Sequence, residues 1–174
     1  LSACEEEASD PGQELPPENM EQEETVPDEE YSITVPYEYP EPVGNSNHEM
    51  MESCNIPEDI LKNMDTPALI ESILRYPLLA SFVDMASLPP EPYKYAVDLQ
   101  LAEKHFNAIP ELYGRKDGIQ QLEKKNALLQ EKVEAYSAAL RMGEKAEDIH
   151  GMDLICARIV EVLLEEMRER SEQP

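Results

Sequence analysis

Residues 64–77 read MDTPALIESILRYP and carry the signals that begin and end one helix. Asp65 supplies a side chain that can cap a helix, and Pro67 is favoured in a first helical turn. Four apolar residues then recur at helical spacing: Leu69, Ile70, Ile73 and Leu74. Pro77 ends or kinks the helix, because the residue before a proline avoids the helical conformation. The stretch predicts a short amphipathic helix that other helices must cover.

Helical patterns flank this stretch on both sides. A short helix is predicted at residues 56–61, and a second apolar run follows at 78–85. Three further helices are predicted at about 91–108, at 118–142 and at about 151–170. Asp117 can cap the helix at 118–142, and Gly143 stops it. Since no part of residues 56–174 has a convincing strand pattern, we expect an all-α domain, a small bundle or array of about five helices.

The predicted helix at 118–142 has the most regular pattern in the chain. Its apolar stripe alternates three and four residues apart and comprises Ile119, Leu122, Asn126, Leu129, Val133, Tyr136 and Leu140. Asn126 stands where a parallel coiled-coil dimer places a buried polar residue to fix its register. The stripe therefore predicts a dimer seam, although a helix packed within one chain needs the same pattern.

Charge divides the chain. Of a formal net charge of −24, residues 1–59 contribute eighteen Asp and Glu and no Lys or Arg. Phosphate backbones and anionic lipid headgroups are bound by clustered basic residues, so nucleic acid is not an expected partner. Residues 5–55 are rich in Glu and Pro, and this composition predicts a disordered acidic tether before a helical domain at 56–174.

One part of this acidic segment differs in its pattern. Its larger side chains alternate with polar residues or proline, namely Tyr31, Ile33, Val35, Tyr37 and Tyr39. The alternation favours an extended tail that leans on the domain, since an isolated strand is not stable. A short motif that adds to the edge of a partner's sheet is the other interpretation.

The first four residues, Leu1-Ser2-Ala3-Cys4, resemble a bacterial lipobox, the end of a lipoprotein signal peptide. Such a motif has an aliphatic residue three positions before the cysteine and small residues between them. The resemblance implies that the Cys4 thiol receives a diacylglyceryl group and that the lipid anchors the chain to a membrane. The polar run that starts at Glu5 fits an exported tether.

Two further stretches resemble a recurring pattern in uncharacterised exported proteins of gut Clostridia. They are residues 64–79 and residues 106–117, and the closing apolar run at 159–164 is similar as well. The resemblance implies an exported helical protein, without an assigned activity and without catalytic residues to carry over. The charged helix at 118–142 is longer than in that pattern.

Residues able to do chemistry are few and scattered. His48, His105 and His150 lack the spacing of metal ligands, and we expect surface or packing roles for them. Asp148, Asp153 and Cys156 lie near His150 in sequence without forming a metal motif. Cys54 and Cys156 are either separate thiols or one disulfide. We expect no catalytic residues, no metal and no cofactor.

These observations predict a non-catalytic bacterial surface lipoprotein, anchored at the extracellular face of the membrane, whose helical domain binds an unidentified protein. The membrane is reached through the lipid alone, and a homodimer is a possible assembly. Two alternatives stay open: a cytosolic coiled-coil adaptor, and a small cell-wall hydrolase with a Cys–His or paired-carboxylate site.

Overall fold

The computed structural model describes residues 31–84, 95–143 and 151–174, without the side chain of Leu140. These residues form seven α-helices: α1 Asn47–Ser53, α2 Glu58–Asn63, α3 Thr66–Leu74, α4 Leu99–His105, α5 Ala108–Tyr113, α6 Gly118–Arg141 and α7 Gly151–Glu172. A 3-10 turn at Leu79–Phe82 leads into strand β1 (Val83–Asp84), which pairs antiparallel with β2 (Ala96–Val97). The predicted all-α class is confirmed, with more and shorter helices than the five expected.

Helix α3 begins as the sequence predicts. The Asp65 carboxylate accepts a hydrogen bond of 2.8 Å from the Ala68 amide, and Pro67 stands in the first turn. The helix buries seven of its nine residues, among them Leu69, Ile70, Ile73 and Leu74. α3 therefore contributes a large part of the core, and it packs against α5 and α6.

The single helix predicted at about 91–108 is wrong. Residues 91–94 lie outside the described chain, and the rest forms β2 and α4 and ends at the first residue of α5, Ala108. The Asp98 carboxylate accepts from the Leu101 amide at 3.0 Å and starts α4. The Asn107 side chain accepts from the Ile56 amide at 3.1 Å and donates to the Ile56 carbonyl at 2.7 Å, between α4 and α5. These hydrogen bonds to the Ile56 backbone, which is distant in sequence, hold a break between α4 and α5 where the local pattern predicts a continuous helix.

The described part of the second apolar run forms the 3-10 turn and β1, and Met85 lies outside the described residues. Leu79 and Phe82 are buried in the common core, as their apolar character predicts. The absence of a strand pattern at 56–174 was misleading, because two-residue strands are too short to leave one.

Helices α6 and α7 form an antiparallel hairpin. Three side-chain pairs fix its direction, Arg168 with Glu123 at 2.7 Å, Gln130 with Glu161 at 2.5 Å and Lys132 with Asp153 at 3.6 Å. Gly143 has a φ of +71°, the left-handed conformation that ends a helix at little cost for glycine. The two helices match their predicted bounds of 118–142 and 151–170 within two residues.

The predicted start of the domain at residue 56 is wrong. Residues 31–43, called the strap below, and helix α1 belong to the same compact unit as the rest of the described chain. The Tyr76 hydroxyl donates to the Met51 carbonyl at 2.9 Å, and Cys54 is fully buried. The acidic side chains of this part point to solvent, so the change in charge near Ile60 does not mark a change in folding. The predicted disordered tether of residues 5–55 is therefore wrong for residues 31–55, and residues 5–30 lie outside the described residues.

A buried arginine joins the end of α2, helix α5 and the strap. The Arg115 side chain is 4% exposed and donates to the Met64 carbonyl at 2.7 Å and to the Leu61 carbonyl at 3.0 Å. Its Nε also donates to the Glu111 carboxylate at 3.0 Å, and its guanidinium lies 4.4 Å from the centre of the Tyr31 ring. The carbonyls at the end of α2 have no partners within their own helix, so Arg115 acts as its cap.

We expect Arg115→Met to lower the free energy of unfolding by about 3 kcal/mol, because two carbonyls and a mostly buried carboxylate lose a charged donor. Lys116→Met is the matched control, since Lys116 is exposed and its replacement should change stability by less than about 0.5 kcal/mol. Urea denaturation followed by circular dichroism measures both. Equal effects of the two substitutions would contradict a structural role for Arg115.

Candidate functional site

The residues predicted to form a dimer seam pack within a single chain. Leu122 and Leu129 are buried in the core, while Ile119 and Val133 are partly buried against it. The seam helix α6 packs along α7 of the same chain. A dimer through this stripe stays a prediction, and it would require α7 to move away from α6.

The remaining seam positions do not form a buried polar pair. Asn126 is half-buried, and its side-chain oxygen lies 3.4 Å from the amide nitrogen of Gln130, one turn along the same helix. Tyr136 is half-buried too, and the side chain of Leu140 lies outside the described residues. Asn126, which was predicted to fix the register of a dimer, therefore has a side-chain partner within its own helix.

Two leucines of α6 provide a matched test of how the stripe is used. Leu122 is 0% exposed and Leu128 is 60% exposed. We expect Leu122→Ala to destabilise the monomer by about 3 kcal/mol, because it leaves a cavity, and Leu128→Ala to change stability by less than about 0.5 kcal/mol. Thermal unfolding at several protein concentrations measures both. A midpoint that rises with concentration and loses this rise in Leu122→Ala would instead support the dimer seam.

The fold brings two of the three histidines together. The rings of His48 on α1 and His105 on α4 stack, with centres 4.3 Å apart and planes 21° apart. His105 is 5% exposed, and its Nδ1 lies 3.1 Å from the Glu52 carboxylate. Because a carboxylate only accepts, Nδ1 carries the hydrogen in this contact. The sequence predicts packing roles for histidine but not this pair, since 57 residues separate the two positions.

These residues do not make a metal centre in the described chain. No group of three or more His, Cys, Asp or Glu side chains is placed to hold a metal ion within residues 31–84, 95–143 and 151–174. Asp148 and His150 lie outside these residues, and Asp153 pairs with Lys132. The Nε2 atom of His105 is buried without a hydrogen-bond partner among the described groups.

Cys54 and Cys156 are separate free thiols, so the alternative of a disulfide between them is wrong. The Cys54 sulfur lies 3.9 Å from the Pro40 carbonyl oxygen, and the Cys156 sulfur lies 3.9 Å from the Leu74 carbonyl oxygen. Burial, together with the negative charge of Asp153, raises the pKa of Cys156 to about 11. A thiol with this pKa stays protonated at neutral pH and is a poor nucleophile.

We expect iodoacetamide to alkylate Cys156 slowly in the native chain at pH 8, because little thiolate forms below its raised pKa. In denaturant the same cysteine should react at the rate of an ordinary thiol. Peptide mass spectrometry of timed samples follows this residue separately from the other cysteines. Equal rates in the native and denatured chain would contradict the environment described for Cys156.

The described residues also line two open clefts. The larger, of about 730 Å³, lies beside the β1–β2 pair and is lined by carboxylates of Asp98 and Glu166 among other groups. Asp98 caps α4, and Glu166 accepts from the Arg170 guanidinium at 2.7 Å. The smaller cleft, of about 260 Å³, includes Arg115, whose donors are engaged as described above. The charged groups named here already have structural partners.

The contact surface with the most specific geometry lies beneath the strap. Its floor, called the groove below, consists of Asn63, Met64 and Asp65 at the end of α2 together with Ser72 and Tyr76 of the α3 region. Ile33 exchanges two backbone hydrogen bonds with this floor, donating to the Asn63 carbonyl at 2.9 Å and accepting from the Asp65 amide at 2.8 Å. This is a parallel β-bridge between Ile33 and Met64.

Two tyrosines hold the other end of the strap. The Tyr37 amide donates to the Ser72 hydroxyl at 2.8 Å, and the Tyr39 hydroxyl donates to the Ser72 carbonyl at 2.7 Å. The Tyr39 ring meets those of Tyr76 and Phe106 edge-on, with centres 5.7 and 6.2 Å apart. Burial raises the pKa of Tyr39 far above its ordinary value, so the hydroxyl stays a donor at all physiological pH values. The extended tail predicted to lean on the domain is thus the one observed.

Comparison of the chain with protein-family models, with curated proteins and with solved structures finds no match. Among the helices in the described part of the chain, none has both the length and the apolar character needed to cross a bilayer. The assignment of function therefore depends on the sequence motif at Cys4 and on the surfaces described above.

Proposed function

We propose that this protein is a bacterial surface lipoprotein whose helical unit binds other proteins. The observation that carries the proposal is Leu1-Ser2-Ala3-Cys4 followed by an acidic, proline-rich segment. A diacylglyceryl group on Cys4 supplies two acyl chains, which is enough for stable attachment to a membrane. The resemblance to exported proteins of gut Clostridia supports the same location.

The segment between the anchor and the folded unit fits a spacer. Residues 5–30 separate Cys4 from the strap, and a flexible chain of this length reaches about 28 Å on average. Its twelve acidic residues repel one another and lengthen that reach. They also disfavour contact with anionic headgroups, so attachment through the lipid keeps the helical unit away from the membrane surface.

Several surface features favour protein binding as the activity of the helical unit. Its exposed large apolar side chains are Val35, Val43, Leu128, Met142 and Met152. Leu128 lies on α6, and Met142 directly follows its last residue with its amide still donating to the Ala138 carbonyl at 3.2 Å. The two are fourteen positions apart, so helical geometry places them on one flank. The groove, in addition, already holds an extended peptide. The thiol of Cys156, with its raised pKa, gives no support to a Cys–His hydrolase.

The experiment that tests the anchor is mass spectrometry of the N-terminal peptide from native membrane fractions. We expect a diacylglyceryl mass on Cys4 and partition of the protein into the detergent phase of a detergent extract. Cys4→Ala should move the protein to the aqueous phase, because the two acyl chains are lost. Cys156→Ala, the matched control, should leave the partition unchanged.

A longer, unmodified N-terminus in the soluble fraction would overturn the lipoprotein proposal. The cytosolic coiled-coil adaptor would then take its place, and sedimentation of the protein would test its dimer. A modified Cys4 would lead next to chemical cross-linking at the cell surface, which identifies the proteins that the helical unit contacts.

A further inference from the structure

We propose that the groove is a binding site for extended, tyrosine-bearing peptides and that it takes the strap of a second copy of this chain. The groove has the parts of a peptide site: backbone groups of Asn63 and Asp65 that pair with an extended chain, and a serine that meets two tyrosines. Main-chain pairing of this kind gives affinity, and the side-chain contacts give specificity.

The strap is held like a bound ligand. It is extended and makes hydrogen bonds to the groove at Ile33, Tyr37 and Tyr39, and the Tyr39 ring also packs on Tyr76 and Phe106. At its start, Arg115 contacts the ring of Tyr31. Val35 and Val43 are 65% and 66% exposed, so the strap is bound along one side and open to solvent on the other. A strap from another copy would make the same contacts in the same groove.

Gly44 supplies the hinge for such an exchange. It joins the strap to the start of α1 and has a φ of +153°, a conformation that other residues rarely adopt. A Cβ atom at this position would lie 2.6 Å from the Glu49 Cβ. A change at Gly44, with loss of the 3.0 Å hydrogen bond from the Val43 amide to the Ser53 hydroxyl, can redirect the strap away from its own groove. Helix α1 then stays attached through the contact of Tyr76 with Met51.

The balance between the two states depends on concentration. A strap joined to its own groove by a short connection has an effective concentration of roughly millimolar, so dilute chains keep it in cis. Exchange between copies needs a comparable local concentration. This step of the inference rests on the proposed function, because lipid anchors would confine many copies to one surface.

The test uses the full chain and a labelled peptide of residues 31–43, with fluorescence anisotropy as the measurement. Ile33→Pro removes the Ile33 amide from the chain's own strap and leaves the groove unchanged. We expect the peptide to bind this variant about tenfold more tightly than the wild-type chain, because the competing strap is weakened. Val35→Ala, at an exposed strap position, is the matched control and should bind like the wild type.

A groove variant completes the design. Ser72→Ala removes the acceptor for the Tyr37 amide, so the double variant with Ile33→Pro should lose about the whole tenfold gain. Circular dichroism establishes that each variant is folded. A folded Ile33→Pro chain that binds the peptide no better than Val35→Ala would overturn the proposal.

A second measurement needs no substitution. Wild-type chain held at about millimolar concentration and then diluted should show a dimer by size-exclusion chromatography, and an excess of the peptide during incubation should suppress it. Monomer alone, or a dimer that the peptide leaves unchanged, would overturn the exchange. Both measurements use chains without lipid, so their outcome is separate from that of the mass measurement on Cys4.

Discussion

The buried guanidinium of Arg115 is the interaction on which the rest of this small fold depends. A charge taken out of water must be compensated, and here the compensation comes from the end of α2, from Glu111 on α5 and from the Tyr31 ring of the strap. Each partner is held in place because loss of its contact would leave the buried charge uncompensated. Lys62 of α2 also pairs with Glu111, so the same carboxylate links two helices.

Further polar contacts join the same two parts of the chain that Arg115 connects. Ile56 pairs with Asn107, the Thr66 hydroxyl donates to the Asp117 carboxylate at 2.6 Å, and Lys125 pairs with Glu71. These contacts run between residues 56–71 and residues 107–125, at a nearly constant separation along the chain. Helices of six to nine residues bury too little to choose one packing by apolar area alone. Bonds of about 1 kcal/mol each, made at defined positions, select the arrangement.

The strap connects this architecture with the proposed role at a surface. It is the part of the folded unit that lies nearest to Cys4 in sequence, and it binds through backbone groups and three aromatic side chains instead of a continuous sheet. Its groove is formed by α2 and α3, whose positions depend on Arg115 and on the Asp65 cap. Folding of the core and recognition of an extended peptide therefore use the same few residues.

The sequence by itself determined the helical class, the start of α3 and the bounds of α6 and α7. These features depend on local signals: the Asp65 cap, Pro67, the glycine at 143 and apolar residues at helical spacing. The sequence also identified 31–39 as an extended stretch, from its two-residue period. The motif at Cys4 is a local pattern too, and the proposed anchor follows from it directly.

Only the tertiary structure decided where the folded unit begins, where the predicted helix at 91–108 breaks and what covers the stripe of α6. The break depends on a bond between Asn107 and Ile56, and the early start depends on Ser72, which meets Tyr37 and Tyr39 from more than thirty residues away. The stacked pair of His48 and His105 is another such contact. The physical reason is common to all of them: a side chain's long-range partner leaves no periodic trace near it in the sequence, so only folding reveals the pair.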